Sequence, residues 1–121
     1  MAGKFNDIAA VIATRDYATS VAWYSRLLGR APDLEPIEGV GEWQITATAW
    51  LQLATDAERA GGTAVRIGVD DLDAQAAALT ADGIEVGELV VIADMVKVVD
   101  IADPDGNEVS FVQELTAEEP S

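Results

Sequence analysis

One pattern of elements is written twice in this chain. Shifted by 55 residues, the second half lays Ile67 on Ile12, Gly68 on Ala13, Asp71 on Asp16 and Leu72 on Tyr17. In each copy a short apolar run leads to an Asp, a stripe of helical period follows, and three short strand-like stretches close the unit. A repeated order of elements at a fixed period points to internal duplication, so two similar α+β modules are expected.

In the first copy, Ile8 to Thr14 reads as a buried strand, and Asp16 as the cap of a helix whose apolar stripe is Tyr17, Val21, Tyr24 and Leu28. Gly29 and Pro32 supply its stop. Strands are predicted near Asp33–Pro36, Glu42–Ala47 and Trp50–Ala54, before a linker over 55–62. In the second copy, Thr63–Val69 is a strand and Asp70 or Asp71 caps a helix running to about Gly83 on the stripe Leu72, Ala76 and Leu79. Strands follow near Glu85–Ile92, Met95–Ala102 and Glu108–Gln113, the last two joined by Asp103-Pro104-Asp105-Gly106-Asn107, where Pro and Gly suit a tight turn. The expected organisation is one domain of 121 residues, with halves 5–54 and 63–115 and an acidic tail at 116–121.

Composition narrows the chemistry. The chain has no Cys and no His, so thiolate chemistry, the commonest metal ligand and the usual neutral-pH general base are all missing. Seven Lys and Arg against 22 Asp and Glu give a formal charge of −15, which opposes nucleic acid and anionic membrane surfaces. No stretch reaches the roughly 20 apolar residues that span a bilayer, and no secretory leader is evident, so a cytoplasmic protein is expected.

Three motifs carry a family resemblance. Asp16 to Gly29, DYATSVAWYSRLLG, resembles the D-x-x-x-S-x-x-[FW]-Y-x-x-x-L-G helix signature of the vicinal oxygen chelate superfamily, the glyoxalase/bleomycin resistance proteins. Val69-Asp70-Asp71-Leu72-Asp73-Ala74 resembles its second helix start, and Asp103 to Val109 its D-P-D-G-N hairpin. The resemblance implies tandem βαβββ modules forming a curved sheet with a central cup, and by analogy a homodimer. It covers enzymes that use metals as well as metal-free proteins that sequester drugs.

Metal-using relatives carry ligands on the first and last strands of each half, and the resemblance puts those positions at Ala9, Gln52, Ala64 and Ser110. Alanine offers no donor, and an amide with a hydroxyl holds a divalent ion weakly. No metal and no cofactor are therefore expected. Strand alternation sends Trp50 and Gln52 to the cup, with Trp43 as a further wall, and Arg66 beside the alanine of the second half. Arg66 suits an oxyanion, or else an ion pair with an acid such as Glu108. The preferred reading is a metal-free protein that binds a small organic ligand, of the antibiotic-sequestering type. The alternative is a glyoxalase-like lyase or isomerase in which Arg66 or Gln52 replaces the metal.

Overall fold

A computed structural model describes residues 3–115; the acidic tail expected at 116–121 lies outside the described residues. The elements run β1 (Ile8–Thr14), α1 (Tyr17–Leu28), β2 (Val40–Thr46), β3 (Ala49–Thr55), β4 (Ala64–Gly68), α2 (Leu72–Ala81), β5 (Val90–Ile92), β6 (Val96–Ala102) and β7 (Glu108–Glu114). They form two mixed sheets, ordered β1-β3-β2 and β4-β7-β6-β5, with one helix for each. The first strand of each half pairs parallel with the last, and the remaining strands pair antiparallel. The fold class is thus α+β, as the repeat implies.

The duplication is visible in the helix caps. Asp16 precedes α1 at φ −140°, ψ 96°, and Asp71 precedes α2 at φ −139°, ψ 93°. Each carboxylate accepts a backbone N–H three residues on, from Thr19 at 3.2 Å and from Ala74 at 3.1 Å. An Asp in extended conformation satisfies one of the N–H groups that a helix start leaves unpaired. Gly29 ends α1 at φ 78°, the left-handed region where glycine is favoured.

Among the described residues two compact units result: residues 3–63 with 104–107, and residues 64–103 with 108–115. In the first, α1 covers one face of its sheet and buries Tyr24 and Leu27 with Ile12, Leu51 and Leu53. The expected stripe is rotated slightly, because Ser20 rather than Tyr17 is buried, its hydroxyl bonded to Thr14 at 2.6 Å and to Asp105 at 3.1 Å. In the second unit, α2 buries Leu72, Ala76 and Leu79, the stripe read from the sequence, in a core with Val99, Ile101, Val109 and Phe111. Lys97 reaches Asp73 in the first turn of α2 at 2.6 Å, and the Gln113 side chain accepts the Leu72 N–H at 2.8 Å.

Two expected strands are shorter than their composition suggested. The stretch Asp33–Pro36 makes a single bridge, Leu34 with Glu42, because prolines at 32 and 36 remove ladder donors on both sides. Of Glu85–Ile92 only Val90–Ile92 is a strand. Gly87 instead presses against the Asp100 backbone, its N–H donating to that carbonyl at 3.1 Å, and a Cβ there would lie 2.7 Å from the same oxygen.

The Pro104–Asn107 turn belongs to the first unit. The Asp105 carboxylate accepts the Arg15 backbone N–H at 3.0 Å and forms an ion pair with its guanidinium at 3.3 Å. Asn107, wholly buried, accepts the N–H groups of Gly61 and Thr63 at 2.9 and 3.0 Å and donates to the Ala13 carbonyl at 2.9 Å. The D-P-D-G-N motif is therefore a structural fastening, in which the Asp105 and Asn107 side chains are matched to backbone groups of β1, its following loop and the 61–63 stretch.

Candidate functional site

In a strand, alternate side chains share a face, so register decides which residues meet. In the first unit, β1 pairs with β3 through Ala9–Trp50 and Val11–Gln52, and β2 pairs with β3 through Glu42–Gln52 and Gln44–Trp50. Two rows therefore cross the face opposite α1: Ala9, Trp50, Gln44 and then Val11, Gln52, Glu42. Trp50, Gln52 and Glu42 are half-buried, and Ala9 and Val11 are exposed. The strand register sets Ala9, Trp50 and Gln52 on one face. It also adds a residue the sequence did not nominate, since the Gln52 amide donates to the Glu42 carboxylate at 2.6 Å.

Trp43 requires a correction. It pairs with Leu51 on the helix-covered face, is 0 % exposed, stands 6.1 Å from the Tyr24 ring and donates its indole N–H to the Arg30 carbonyl at 3.0 Å. It is a core residue and not a wall of the open face. The hairpin register sets this, because Gln44 and not Trp43 lies opposite Trp50, and the ladder shifts between Gln44 and Thr46.

In the second unit, β4 pairs with β7 through Ala64–Glu108 and Arg66–Ser110, and β6 adds Ala102 opposite Glu108 and Asp100 opposite Ser110. One row thus reads Arg66, Ser110, Asp100. Ser110 is buried and donates to Asp100 at 2.5 Å. Arg66 is exposed and, among the described residues, pairs with neither Glu108 nor Asp100. Among the described residues, the ion pair with Glu108 that was the alternative to an oxyanion for this guanidinium does not form. A depression of about 340 Å³ opens farther along the same sheet, where Gly68, Val69 and Asp70 approach Val112, Gln113 and Glu114.

The two rows correspond across the repeat. Position for position, Gln52 and Glu42 match Ser110 and Asp100, each 58 residues apart, and in both pairs a neutral donor is tied to a carboxylate on the adjacent strand. No motif discloses this recurrence, because it depends on cross-strand pairing rather than on spacing along the chain. Pairing the Trp50–Ala54 run with the strand before it would have found Glu42.

These residues do not make a donor set for a divalent ion. Ala9 and Ala64 contribute only methyl groups, Gln52 and Ser110 offer one neutral oxygen each, and no group of three or more His, Cys, Asp or Glu that could hold a metal ion is assembled among the described residues. The tyrosines are poor acid–base candidates too. Tyr24 is buried in the core. Tyr17 donates to Glu35 at 2.7 Å, and burial together with that carboxylate raises its pKa well above the ordinary phenol value. Among the described residues no helix is long and apolar enough to cross a membrane.

The family model of the Glyoxalase/Bleomycin resistance protein/Dioxygenase superfamily matches residues 4–111. A glyoxalase/bleomycin resistance protein from Catenulispora acidiphila is similar over 88 % of this chain and 96 % of its own, with 32 % identity and a TM-score of 0.83. TnmS3, an antibiotic-binding protein from a Streptomyces species, matches 94 % of this chain and 98 % of its own at 20 % identity and TM-score 0.75. A lactoylglutathione lyase from Agrobacterium tumefaciens matches 88 % and 91 % at 19 % identity and TM-score 0.74. The last two share the fold. No curated protein matches. With its repeated order of elements, its capped helices and its parallel first-to-last strand pairing, this chain belongs to the Glyoxalase/Bleomycin resistance protein/Dioxygenase superfamily.

Proposed function

We propose that this chain is a metal-free protein that binds a small organic ligand, of the antibiotic- or natural-product-sequestering type, and that it works in the cytoplasm as a homodimer. The observation that carries this reading is the matched pair of rows. At the four positions that the family resemblance assigns to metal ligands, two are alanines and the other two side chains are tied to carboxylates on the next strand. The proposed ligand contacts are Ala9, Trp50 and Gln52 on the sheet of the first unit, and Ala64, Arg66 and Ser110 on the sheet of the second. A lyase reading needs a group to move a proton, and with no histidine in the chain that role would fall to a carboxylate such as Glu42 or Asp100, each already held by a neighbouring donor.

A thermal-shift screen with bleomycin-type glycopeptides, other natural products and glutathione thiohemiacetals tests the reading, followed by turnover assays on every hit. Stabilisation without turnover is the expected result. Turnover that survives chelator and disappears in Arg66→Ala would establish the enzyme instead. Calorimetric titration with zinc, nickel and manganese should show no stoichiometric sub-micromolar binding. Light scattering at micromolar concentration should give twice the chain mass.

A further inference from the structure

We infer that the open face of the first unit takes an organic cation with a flat apolar body, held by Glu42 and Trp50. The inference rests on the binding reading above and names the class of ligand.

Glu42 is half-buried, and the side chain that holds it is neutral. The Gln52 amide donates to Oε2 at 2.6 Å, which fixes the carboxylate in place without cancelling its charge. Among the described residues no Lys or Arg pairs with it, whereas Arg15, Arg30, Arg59 and Lys97 hold Asp105, Asp33, Asp56 and Asp73. A partly desolvated carboxylate with no counter-ion favours an incoming cation, and anchoring by a neighbour lowers the ordering cost of binding.

The aromatic partner stands beside it. Glu42 lies opposite Gln52, and Trp50 is the diagonal neighbour, within reach for side chains of this length on one face of an antiparallel pair. Indole is the strongest of the aromatic faces for a cation. Its other flank is Ala9, whose side chain is only a methyl group, and Val11, 52 % exposed, adds an apolar surface beside Gln52. Gln44, the remaining polar residue of the row, donates its amide to the Ala47 carbonyl at 3.1 Å. One carboxylate with an engaged amide is too small a donor set for a metal ion, and an anion would meet Glu42 unscreened. The overall charge of −15 adds attraction for a cation at long range.

Three flat bicyclic probes of different charge test this: 1-methylquinolinium, which is permanently cationic, neutral quinoline at pH 7.5, and 1-naphthoate. Each is titrated into the full chain by calorimetry with tryptophan emission recorded. The expected order is methylquinolinium first, binding one per chain and at least about 10-fold tighter than quinoline. Glu42→Gln should weaken the cation by about 10-fold or more and leave quinoline unchanged, with an unaltered melting temperature. Trp50→Leu should weaken both probes and remove the emission response; if it fails to fold, Glu42→Gln alone decides. Naphthoate binding as tightly as the cation, or a cation affinity indifferent to Glu42→Gln, overturns the inference. If none of the probes binds, it is overturned as well. Hits in the natural-product screen would then leave the binding reading standing, and a blank screen would remove both.

Discussion

Asp105 shows how one side chain in a turn can hold distant segments of a chain together. Burial by itself would raise its pKa, but hydrogen bonds from Thr14, the Arg15 backbone and Ser20, together with the Arg15 charge, outweigh that and lower it from the ordinary 3.8. A carboxyl whose folded pKa is depressed contributes stability that is complete above its unfolded value and is lost as pH falls through the folded one. Asp105→Asn should therefore lower stability at pH 7 by about 1–3 kcal/mol, with the gap to wild type closing below about pH 4 in urea titrations. A gap independent of pH would mean that the charge is irrelevant and only shape matters. At Asn107 the amide cannot be replaced by either half of itself. Asn107→Ala strands two N–H groups and a carbonyl that are now bonded, and should cost about 3 kcal/mol in the same assay. Both residues sit in a motif legible in the sequence as turn chemistry. Their partners at Ala13, Arg15 and Ser20 lie some 90 positions away and could not be read from spacing.

Among the elements, β2 and β3 carry the clearest contrast. Trp43 and Trp50 stand on paired strands, yet the first is wholly buried against Tyr24 and the second lies on the open face. Trp43→Ala should cost about 3–5 kcal/mol, through lost burial and the orphaned Arg30 carbonyl. Trp50→Ala should cost less than half as much while altering ligand affinity, so thermal melts of the two variants distinguish a core ring from a site ring. The helix stripes are unevenly legible for a physical reason. Leu72, Ala76 and Leu79 are apolar and buried, as periodicity predicts. On α1 a serine takes a core position, because Thr14 and Asp105 satisfy its hydroxyl, and no hydrophobicity pattern anticipates that. The strands expected at Asp33–Pro36 and Glu85–Ile92 are cut short where proline removes donors and where Gly87 is drawn to the Asp100 backbone.

Charge dominates the behaviour of the whole molecule. At −15, self-repulsion opposes the folded state, and of the four described ion pairs Arg30–Asp33 and Arg59–Asp56 are exposed on both sides and contribute little each. Raising NaCl from about 20 to about 300 mM should therefore increase the melting temperature by a few degrees, since screening acts on long-range repulsion more than on short contacts. A fall would show that the ion pairs outweigh the repulsion. The same salt series should weaken the cationic probe, because its attraction to Glu42 is screened too. The sequence by itself determined the repeated α+β plan, the two aspartate caps, and the lack of His and Cys, because these follow from residue identity and local spacing. Only the tertiary structure decided that Trp43 is core, that Glu42 and Asp100 join Gln52 and Ser110, and that the D-P-D-G-N turn fastens the first unit. Alternation along a strand says that two faces exist; hairpin register and the position of the packed helix decide which face is buried and which side chain lies opposite.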